Sequence, residues 1–151
     1  MKIIRCNHES IVYAIEAIRV VKNEEDNNPI ELVTEDVLRN FLKNENNYLI
    51  AAVENAKVLG FIIAYELYRA DRNSSIMFLY EIGVLKEFRN RGIGSELIDF
   101  LKMICEERCI MKMWVPTERT NVPAVSLYAK MGGIISKIDD EVSFTWYPPY
   151  R

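Results

Sequence analysis

A turn rich in arginine and glycine separates two apolar segments in the middle of the chain. It reads EFRNRGIGSEL, residues 87–97, and it follows the apolar run IMFLYEIGVL. A helix N-terminus carries unpaired N–H groups and a partial positive charge, so a strand-to-helix turn binds anions when its backbone can come close. Gly92 and Gly94 permit that approach, and Arg89 and Arg91 add charge that suits a pyrophosphate. An ordinary surface turn with solvated arginines is the alternative.

Two common phosphate-binding motifs do not occur at this turn. A P-loop requires GxxxxGK followed by Ser or Thr, and no such Lys stands at this helix start. A dinucleotide fingerprint requires GxGxxG, but Leu97 occupies the position of the third glycine after Gly92 and Gly94. The sequence therefore indicates neither ATP nor NAD.

The spacing of apolar residues predicts the elements that precede the turn. A short strand over residues 1–6 is followed by Ile11, Ala14, Ile15 and Ile18 at helical spacing. Thr34 is predicted to cap a second helix that ends near residue 44. Segments 48–53 and 58–68 are predicted to form an antiparallel hairpin, joined by residues 54–57. A third strand, 76–85, is apolar almost throughout, which predicts a central strand covered on both faces.

The elements after the turn complete a mixed sheet. A helical stripe follows it, formed by Ile93, Leu97, Ile98, Leu101, Ile104 and Cys105. A strand is predicted over 109–115, and a helix over 121–131 that Gly132 and Gly133 end. Segments 134–138 and 142–147 are predicted to close the sheet as a hairpin. The predicted order is β-α-α-β-β-β-α-β-α-β-β, an α/β (α+β mixed-sheet) fold with helices on both faces and parallel strands around the turn.

The composition limits what the chain can bind. Its 151 residues, 50% hydrophobic and 27% charged, fit a single domain, residues 1–151. A net charge of −3 argues against nucleic acid as a partner, because binding a phosphate backbone requires a surplus of Lys and Arg. No apolar run approaches the ~20 residues of a spanning helix, and residues 1–10 do not read as a signal sequence. We therefore expect a cytoplasmic protein without a membrane partner.

The cysteines indicate a reducing compartment and no metal site. There are three of them, an odd number, in a chain large enough to fold without disulfides. Cys105 and Cys109 lie four residues apart on a helical pattern, but the lone His8 is far away in sequence. We expect ordinary thiols rather than metal ligands.

Two segments resemble the signatures of a known family. Residues 89–94, RNRGIG, match the Arg/Gln-x-x-Gly-x-Gly/Ala signature of the GNAT superfamily of acetyl-CoA-dependent N-acetyltransferases. Residues 121–132, NVPAVSLYAKMG, are similar to the Asn-x-x-Ala-x-x-x-Tyr-x-x-x-Gly helix of the same superfamily. The resemblance implies the GNAT acyl-CoA N-acyltransferase fold, with acetyl-CoA or coenzyme A as the cofactor.

The resemblance also implies which residues hold coenzyme A. Its pyrophosphate is assigned to the turn and its pantetheine arm to the preceding strand. The implied contacts come from Arg89, Asn90, Arg91, Gly92, Ile93, Gly94 and Ser95 of the turn, and from Ile82, Gly83 and Val84 of the strand. Asn121 is expected to cap its helix and to contact pantetheine, with capping alone as the alternative.

A closer resemblance, over residues 35–133, is to the aminoglycoside 3-N-acetyltransferases. The segments FLYEIGVLKEFRNRGIGSELI and VPAVSLYAKMG carry it. That family has a Tyr-acid pair on the central strand, commonly with Asp, where this chain has Tyr80 and Glu81. The resemblance implies a cationic small-molecule amine as substrate, aminoglycosides first, and a possible homodimer. A protein or peptide amine as acceptor, another small polyamine, and a non-catalytic acyl-CoA-binding module stay open.

The resemblance implies direct acetyl transfer in a ternary complex, and this reaction requires a base and an acid. An alkylamine with a pKa near ~10 is mostly protonated at neutral pH, so its proton must be removed. Glu81, an acid within an apolar strand, is the candidate base or ammonium ligand, because burying a carboxylate is costly without a partner or a task. A place on the open sheet face, or a pair with an arginine, is the alternative. Tyr128 is the candidate acid, with a core tyrosine as its alternative.

In the fold that the resemblance implies, the first interhelical loop borders the acceptor site, and acidic residues there are its candidate rim. Glu24, Glu25 and Asp26 lie in the first interhelical loop, and Glu118 precedes the last helix. An acidic rim attracts a polycationic amine. With Tyr80 and Glu81 these residues form the predicted substrate-binding set, and a solvated acidic loop is the alternative.

Overall fold

Five strands form one sheet in the part of the chain that the structure describes. The structure is a computed structural model that describes residues 1–22 and 33–135. The strands are β1 (Lys2–Arg5), β2 (Asn47–Glu54), β3 (Lys57–Tyr68), β4 (Ser75–Val84) and β5 (Lys112–Trp114). They lie in sequence order across the sheet, with the first three pairs antiparallel and β4–β5 parallel. The predicted parallel pair around the arginine-glycine turn is therefore confirmed.

Helices cover both faces of the sheet. They are α1 (Ile11–Glu16), which continues as a π-helical segment (Ala17–Lys22), α2 (Glu35–Lys43), α3 (Ile93–Glu107) and α4 (Val122–Lys130). Thr34 caps α2 as predicted, because its hydroxyl accepts a hydrogen bond from the Val37 N–H at 3.4 Å. A 3₁₀ turn (Lys86–Phe88) connects β4 to the segment before α3.

The sheet separates two hydrophobic cores. The first core packs α3 against one face, with Ile50, Ile62 and Leu79 fully buried beside Leu97 and Leu101. The second core packs α1 and α2 against the other face and includes Ala14, Leu38, Leu49 and Phe61. Successive residues of β2, and of β3 from Phe61 onward, alternate between the two cores, as the pleat of a strand requires. The sheet is therefore covered on both sides where β2 and β3 cross it.

The predicted β2–β3 hairpin is confirmed, but its connection is two residues long, Asn55 and Ala56, and not the predicted residues 54–57. Glu54 pairs with Lys57, and Asn55 and Ala56 both have left-handed backbone angles, with φ of 51° and 61°. Two positive φ values in a row define the type I′ turn, whose twist matches that of the strands.

Two sequence predictions are corrected by the structure. The strand predicted over 109–115 is wrong at its start, because Cys109 has a φ of 54° and ends α3 instead. The Cys109 and Ile110 N–H groups donate to the carbonyls of Glu106 and Cys105, at 3.1 and 2.8 Å, which is a Schellman cap. The prediction that both faces of β4 are covered is also wrong at Tyr80, because the side chain of Tyr80 is 57% exposed.

The predicted order is confirmed from β1 through α4. Ile134 and Ile135 are described and form no strand, and the rest of the predicted final hairpin lies outside the described residues. The acidic residues Glu24, Glu25 and Asp26 also lie outside them. No helix within the described ranges is long and apolar enough to cross a membrane.

Candidate functional site

A cleft opens where β4 and β5 stop pairing. The parallel ladder joins only Ile76–Phe78 to Lys112–Trp114, although β4 continues to Val84. The cleft has a volume of about 920 Å³ and lies between the end of β4 and the starts of α3 and α4. Ile82, Gly83 and Val84 line it on the strand side, which is where the resemblance places the pantetheine arm. Its volume is within the range of small-molecule sites.

The N-terminus of α3 points its backbone donors at this cleft. The first intrahelical hydrogen bond runs from the Glu96 N–H to the Gly92 carbonyl at 3.0 Å, so the N–H groups of Ile93, Gly94 and Ser95 precede the helical ladder. Gly92 is the N-cap, with a φ of +84°, and no side chain caps the helix there. These residues line the cleft together with Asn90. A helix start of this kind favours an anion.

The charged side chains that line the cleft are all cationic. They are Lys86, Arg89 and Lys130, and no Asp or Glu is found among the described residues that line it. The Arg89 guanidinium donates through Nε to the Val84 carbonyl at 3.0 Å, which joins the turn to the end of β4. The donor set of backbone N–H groups, guanidinium and ammonium groups fits a pyrophosphate and a further phosphate.

Arg91 lies apart from the other predicted cofactor residues of the turn. Its guanidinium is 5.1 Å from the centre of the Phe88 ring and 3.8 Å from a carboxylate oxygen of Glu54. It is not among the residues that line the cleft. The expected pyrophosphate contact of Arg91 therefore stays a prediction.

The two glycines of the turn have different structural roles. Gly92 has a positive φ, a backbone conformation that residues with a side chain rarely adopt. Space is not the reason for a glycine there, because a Cβ would meet nothing within 4 Å. Gly94 instead permits close packing, because its Cβ would lie 3.0 Å from a methyl carbon of Leu127 in α4. The sequence singled out both for the approach of an anion, and the structure adds helix packing for Gly94.

The helix α4 supplies the opposite wall. Asn121 caps it, since its side-chain oxygen accepts from the Ala124 N–H at 3.3 Å, and Asn121 also lines the cleft. Gly132 and Gly133 end it with a second Schellman cap, in which the Gly133 N–H donates to the Tyr128 carbonyl at 2.8 Å. The predicted capping and termination are both confirmed.

Tyr128 packs towards the first core rather than lining the cleft. It is partly buried against the core cluster of α3 and the sheet, and it is not among the lining residues. Burial raises the pKa of its phenol, so the group stays protonated at neutral pH. Its predicted contact with the cofactor and its role as the acid remain predictions.

A β-bulge in β4 sets the position of the predicted base. Ala64 pairs with Leu79 and Ile63 pairs with Glu81, which leaves Tyr80 as the extra residue. Leu79 and Ile82 both face the first core, so Tyr80 and Glu81 together fall on the other face. The rings of Tyr65 and Tyr80 lie edge-to-face with centres 5.7 Å apart. The pKa of the Tyr65 phenol is raised by burial first and then by Tyr80 and Glu81. Glu81 is thus one residue from the cleft lining but on the opposite face of the strand.

Glu118, the other predicted substrate residue within the described ranges, is exposed in the loop before α4. Its carboxylate accepts a hydrogen bond from the Thr120 hydroxyl at 3.3 Å, and it does not line the cleft. The structure therefore places Tyr80 and Glu81 next to the lining residues of β4 but on its other face, and it places Glu118 apart from them.

Sequence reasoning missed several residues that shape the site. Lys86 and Lys130 line the cleft, and their only sequence signal was a positive charge, before the first motif for Lys86 and within the second motif for Lys130. Gly60 was also missed: a Cβ there would lie 2.8 Å from the Gly83 carbonyl oxygen and 3.3 Å from Ile93. Its absent side chain lets β3, β4 and the start of α3 approach one another, and no local pattern signals this.

A buried carboxylate lies away from the cleft, at the C-terminal end of α3. The side chain of Glu66 is 2% exposed and accepts hydrogen bonds from the Ser75 hydroxyl at 2.7 Å and the Tyr48 hydroxyl at 3.0 Å. Arg108 Nε donates to it at 2.5 Å. These bonds join β2, β3 and β4 to the end of α3.

Comparison with known families identifies one match. The model of the family described as "Acetyltransferase (GNAT) family" matches residues 13–133. No curated protein sequence matches the chain.

Several solved structures share the fold at low sequence identity. An aminoglycoside acetyltransferase from an uncultured soil metagenomic sample, in complex with sisomicin, is 18% identical with a TM-score of 0.84, over 97% of this chain and 94% of the other. The aminoglycoside N-acetyltransferase AAC(6')-Iy in complex with CoA is 19% identical with a TM-score of 0.74, over 97% and 94%. A ribosomal-protein-alanine N-acetyltransferase from Brucella melitensis biovar Abortus 2308 is 18% identical with a TM-score of 0.75, over 97% of both chains.

Proposed function

The chain belongs to the GNAT acetyltransferase family, whose members are N-acetyltransferases that use acetyl-CoA, and we propose that its acceptor is a primary amine of an aminoglycoside. The observation that carries the proposal is a cationic cleft on one side of β4 with a carboxylate, Glu81, one residue away on the other side. Acetyl-CoA, when bound, supplies the acetyl group as an activated thioester. The 3-N position is proposed from the sequence resemblance alone.

The cleft residues are proposed to hold the donor. The N–H groups of Ile93, Gly94 and Ser95 bind the pyrophosphate, with Arg89, Lys86 and Lys130 supplying positive charge. The backbone of Ile82, Gly83 and Val84 orients the pantetheine arm. Backbone donors of β4 also stabilise negative charge as it develops on the acetyl oxygen.

Glu81 is proposed to accept the proton of the amine. An ammonium group drawn to this carboxylate loses its proton there, and the neutral nitrogen attacks the acetyl carbon. Tyr128 is proposed to donate the proton that the leaving sulfur takes up, since a protonated phenol is a suitable donor to a thiolate. Transfer is proposed to be direct, without an acetylated cysteine. Burial, the largest cause, raises the pKa of Cys6 to about 12 and that of Cys105 to about 11, which disfavours their thiolates, and no cysteine is among the described residues that line the cleft.

Coenzyme A release from acetyl-CoA, measured across a panel of aminoglycosides and linear polyamines, tests the proposal. Glu81→Gln is expected to lower kcat about 100-fold or more at neutral pH, with partial recovery at high pH where the amine loses its own proton. Tyr128→Phe is expected to lower kcat about tenfold or more. The matched control is Glu45→Gln, an exposed carboxylate outside the site, with unchanged kinetics. NMR of the product identifies the acetylated nitrogen and so tests the 3-N assignment.

A protein or peptide amine is the second candidate acceptor. The ribosomal-protein-alanine N-acetyltransferase among the solved structures supports it, at a TM-score of 0.75. Turnover on peptide N-termini without turnover on any aminoglycoside would replace the first proposal by this one. Acetyl-CoA binding without turnover on any amine would instead favour a non-catalytic module.

A further inference from the structure

Five aromatic rings from four elements form a continuous cluster beside Glu81. Phe78 stacks on Trp114 with ring centres 4.9 Å apart and lies edge-to-face with Tyr80 at 5.9 Å. Tyr65 contacts Tyr80 at 5.7 Å, and Phe41 of α2 at 5.8 Å, both edge-to-face. We call these residues the aromatic cluster: Phe41, Tyr65, Phe78, Tyr80 and Trp114.

The β-bulge places this cluster and the candidate base on one surface. Because Tyr80 is the extra residue, Tyr80 and Glu81 follow Phe78 on the α2 side of β4, while Ile82 returns to the first core. Glu81 pairs with Ile63, which lies two residues from Tyr65 on the same face of β3. The pKa of the Tyr65 phenol is raised by burial first and then by Tyr80 and Glu81, which agrees with this register. A carboxylate therefore lies on the same face of the sheet as these rings, next to the strand residues that line the cleft.

Two members of the aromatic cluster are more exposed to solvent than the side chains of a hydrophobic core. Tyr80 is 57% exposed and Trp114 48%, whereas Phe41, Tyr65 and Phe78 beneath them are half-buried. Large aromatic side chains gain free energy when they are covered, and a contiguous exposed group of them marks a binding surface. Ring faces attract apolar ring surfaces and cations, and Glu81 adds an anion for an ammonium group.

We propose that the aromatic cluster and Glu81 recognise an acceptor whose primary amine is carried on, or next to, a six-membered ring with an apolar face. The ring body stacks on Tyr80 and Trp114, and the ammonium lies at Glu81. The chemistry is shared by aminosugars, whose C–H faces are apolar, and by aromatic amines. The inference rests on the proposed acetyltransferase function and narrows its acceptor, because a linear polyamine offers the charge without the ring.

Three primary diamines test the proposal: deoxystreptamine with a saturated ring, xylylenediamine with an aromatic ring, and linear propanediamine. The kcat/KM of a ring-bearing diamine is expected to exceed that of the linear one by about tenfold, the scale of a stacking contact. A higher value for deoxystreptamine assigns the site to aminosugars, and a higher value for xylylenediamine assigns it to aromatic amines. Equal or better turnover of the linear diamine overturns the proposal.

Variants separate ring recognition from a structural role. Tyr80→Leu and Trp114→Leu keep apolar bulk but remove the ring, so KM for the ring-bearing diamines should rise about three- to tenfold while KM for acetyl-CoA stays unchanged. The matched control is Tyr68→Leu, a 66% exposed tyrosine outside the cluster. An equal loss for the linear and the ring-bearing diamines would contradict ring recognition.

Calorimetry on the CoA-loaded protein measures binding of the diamines without turnover, and so tests ring recognition separately from the proposed function. Binding of a ring-bearing diamine that Trp114→Leu weakens supports the cluster even if no aminoglycoside is acetylated. Aminoglycoside turnover that neither cluster variant affects would uphold the proposed function and overturn the cluster. If neither ring-bearing diamine binds, the inference is wrong regardless of turnover.

Discussion

Glu66 shows how a single buried charge can be stabilised by its neighbours. Burial acts to raise the pKa of its carboxyl, but hydrogen bonds from Ser75, Arg108 and Tyr48 outweigh it, so the pKa lies below its usual value. A carboxyl group with a lowered folded pKa stabilises the protein above its unfolded pKa of about 4.3. That stabilisation is lost as the pH falls through the lower folded pKa.

Glu66→Gln is therefore expected to reduce the free energy of unfolding by about 1–3 kcal/mol at neutral pH, because Arg108 loses its anionic partner. Urea unfolding at several values between about pH 7 and about pH 3 measures the difference from the unmodified protein, which should narrow below about pH 4.3. The exposed Glu107→Gln serves as control, with a change within about 0.5 kcal/mol. A difference that is constant across this range would contradict the assignment.

Gly92 and Gly132 share one backbone conformation but differ in their surroundings. Their φ values are +84° and +83°, and a Cβ at either would meet nothing within 4 Å. An alanine at either position therefore costs about 1 kcal/mol or somewhat more of conformational free energy, without a clash. Only Gly92 lines the donor cleft.

Gly92→Ala and Gly132→Ala are expected to lower the melting temperature by similar amounts. Only Gly92→Ala should raise KM for acetyl-CoA, because it disturbs the helix start that carries the anion-binding N–H groups. Thermal unfolding and initial-rate kinetics on both variants measure the two effects. Equal KM values for the two variants would show that the turn does not contribute to donor binding.

At the scale of elements, the approach of α3 to the sheet depends on two glycines with different neighbours. A Cβ at Gly60 would lie 2.8 Å from the backbone oxygen of Gly83, so the strands themselves must move. A Cβ at Gly94 would lie 3.0 Å from the tip of the Leu127 side chain, which can give by a few tenths of an ångström. We therefore expect an alanine at Gly60, which faces fixed backbone, to destabilise the protein, and an alanine at Gly94, which faces a flexible side chain, to be tolerated.

Gly60→Ala is expected to destabilise the protein by about 1–3 kcal/mol, as overpacking does, and to raise KM for acetyl-CoA by displacing Gly83 and Ile93. Gly94→Ala should be close to neutral in stability, since alanine gains about 1 kcal/mol of helix propensity that offsets the tighter contact. Chemical denaturation of both variants tests the contrast. If the two variants had the same free energy of unfolding, β3 and β4 would accommodate the added methyl group without loss of stability, contrary to this prediction.

At the scale of the whole molecule, local and global charge oppose each other. The chain has a net charge of −3, yet the charged side chains among the described residues that line the cleft are Lys86, Arg89 and Lys130, all cationic. If the cations of the cleft dominate the interaction with the anionic coenzyme A, salt screens an attraction and weakens binding. If the negative net charge dominates, salt screens a repulsion and strengthens binding. We expect Kd for coenzyme A to rise several-fold between about 50 mM and about 500 mM NaCl, as the Debye length shortens from about 14 Å to about 4 Å. Calorimetric titration measures it, and a falling Kd would give the net charge the larger role.

Periodicity and turn chemistry were sufficient to predict most of the fold. The hairpin at Asn55, the cap at Thr34 and the order of elements through α4 follow from local residue types. The end of α3 could not be predicted because Cys109, rather than a glycine, takes the left-handed position. The close packing at Gly60 and the place of Lys86 and Lys130 in the cleft could not be predicted either, because they depend on contacts between segments that are distant in sequence.

The bulge at Tyr80 makes β4 two short strands of opposite phase joined end to end. Up to Leu79 and again from Ile82, alternate side chains enter the first core, and the phase slips by one residue between them. Deleting Tyr80 would restore a regular ladder and keep Glu81 opposite Ile63, on its present face. Inserting one residue into β3 opposite Tyr80 would also give a regular ladder, but Leu79 and Ile82 could then no longer face the same core, so one half of β4 would have to turn over. The chain therefore tolerates length changes here asymmetrically, and the reach of its carboxylate depends on a count of residues as much as on their identity.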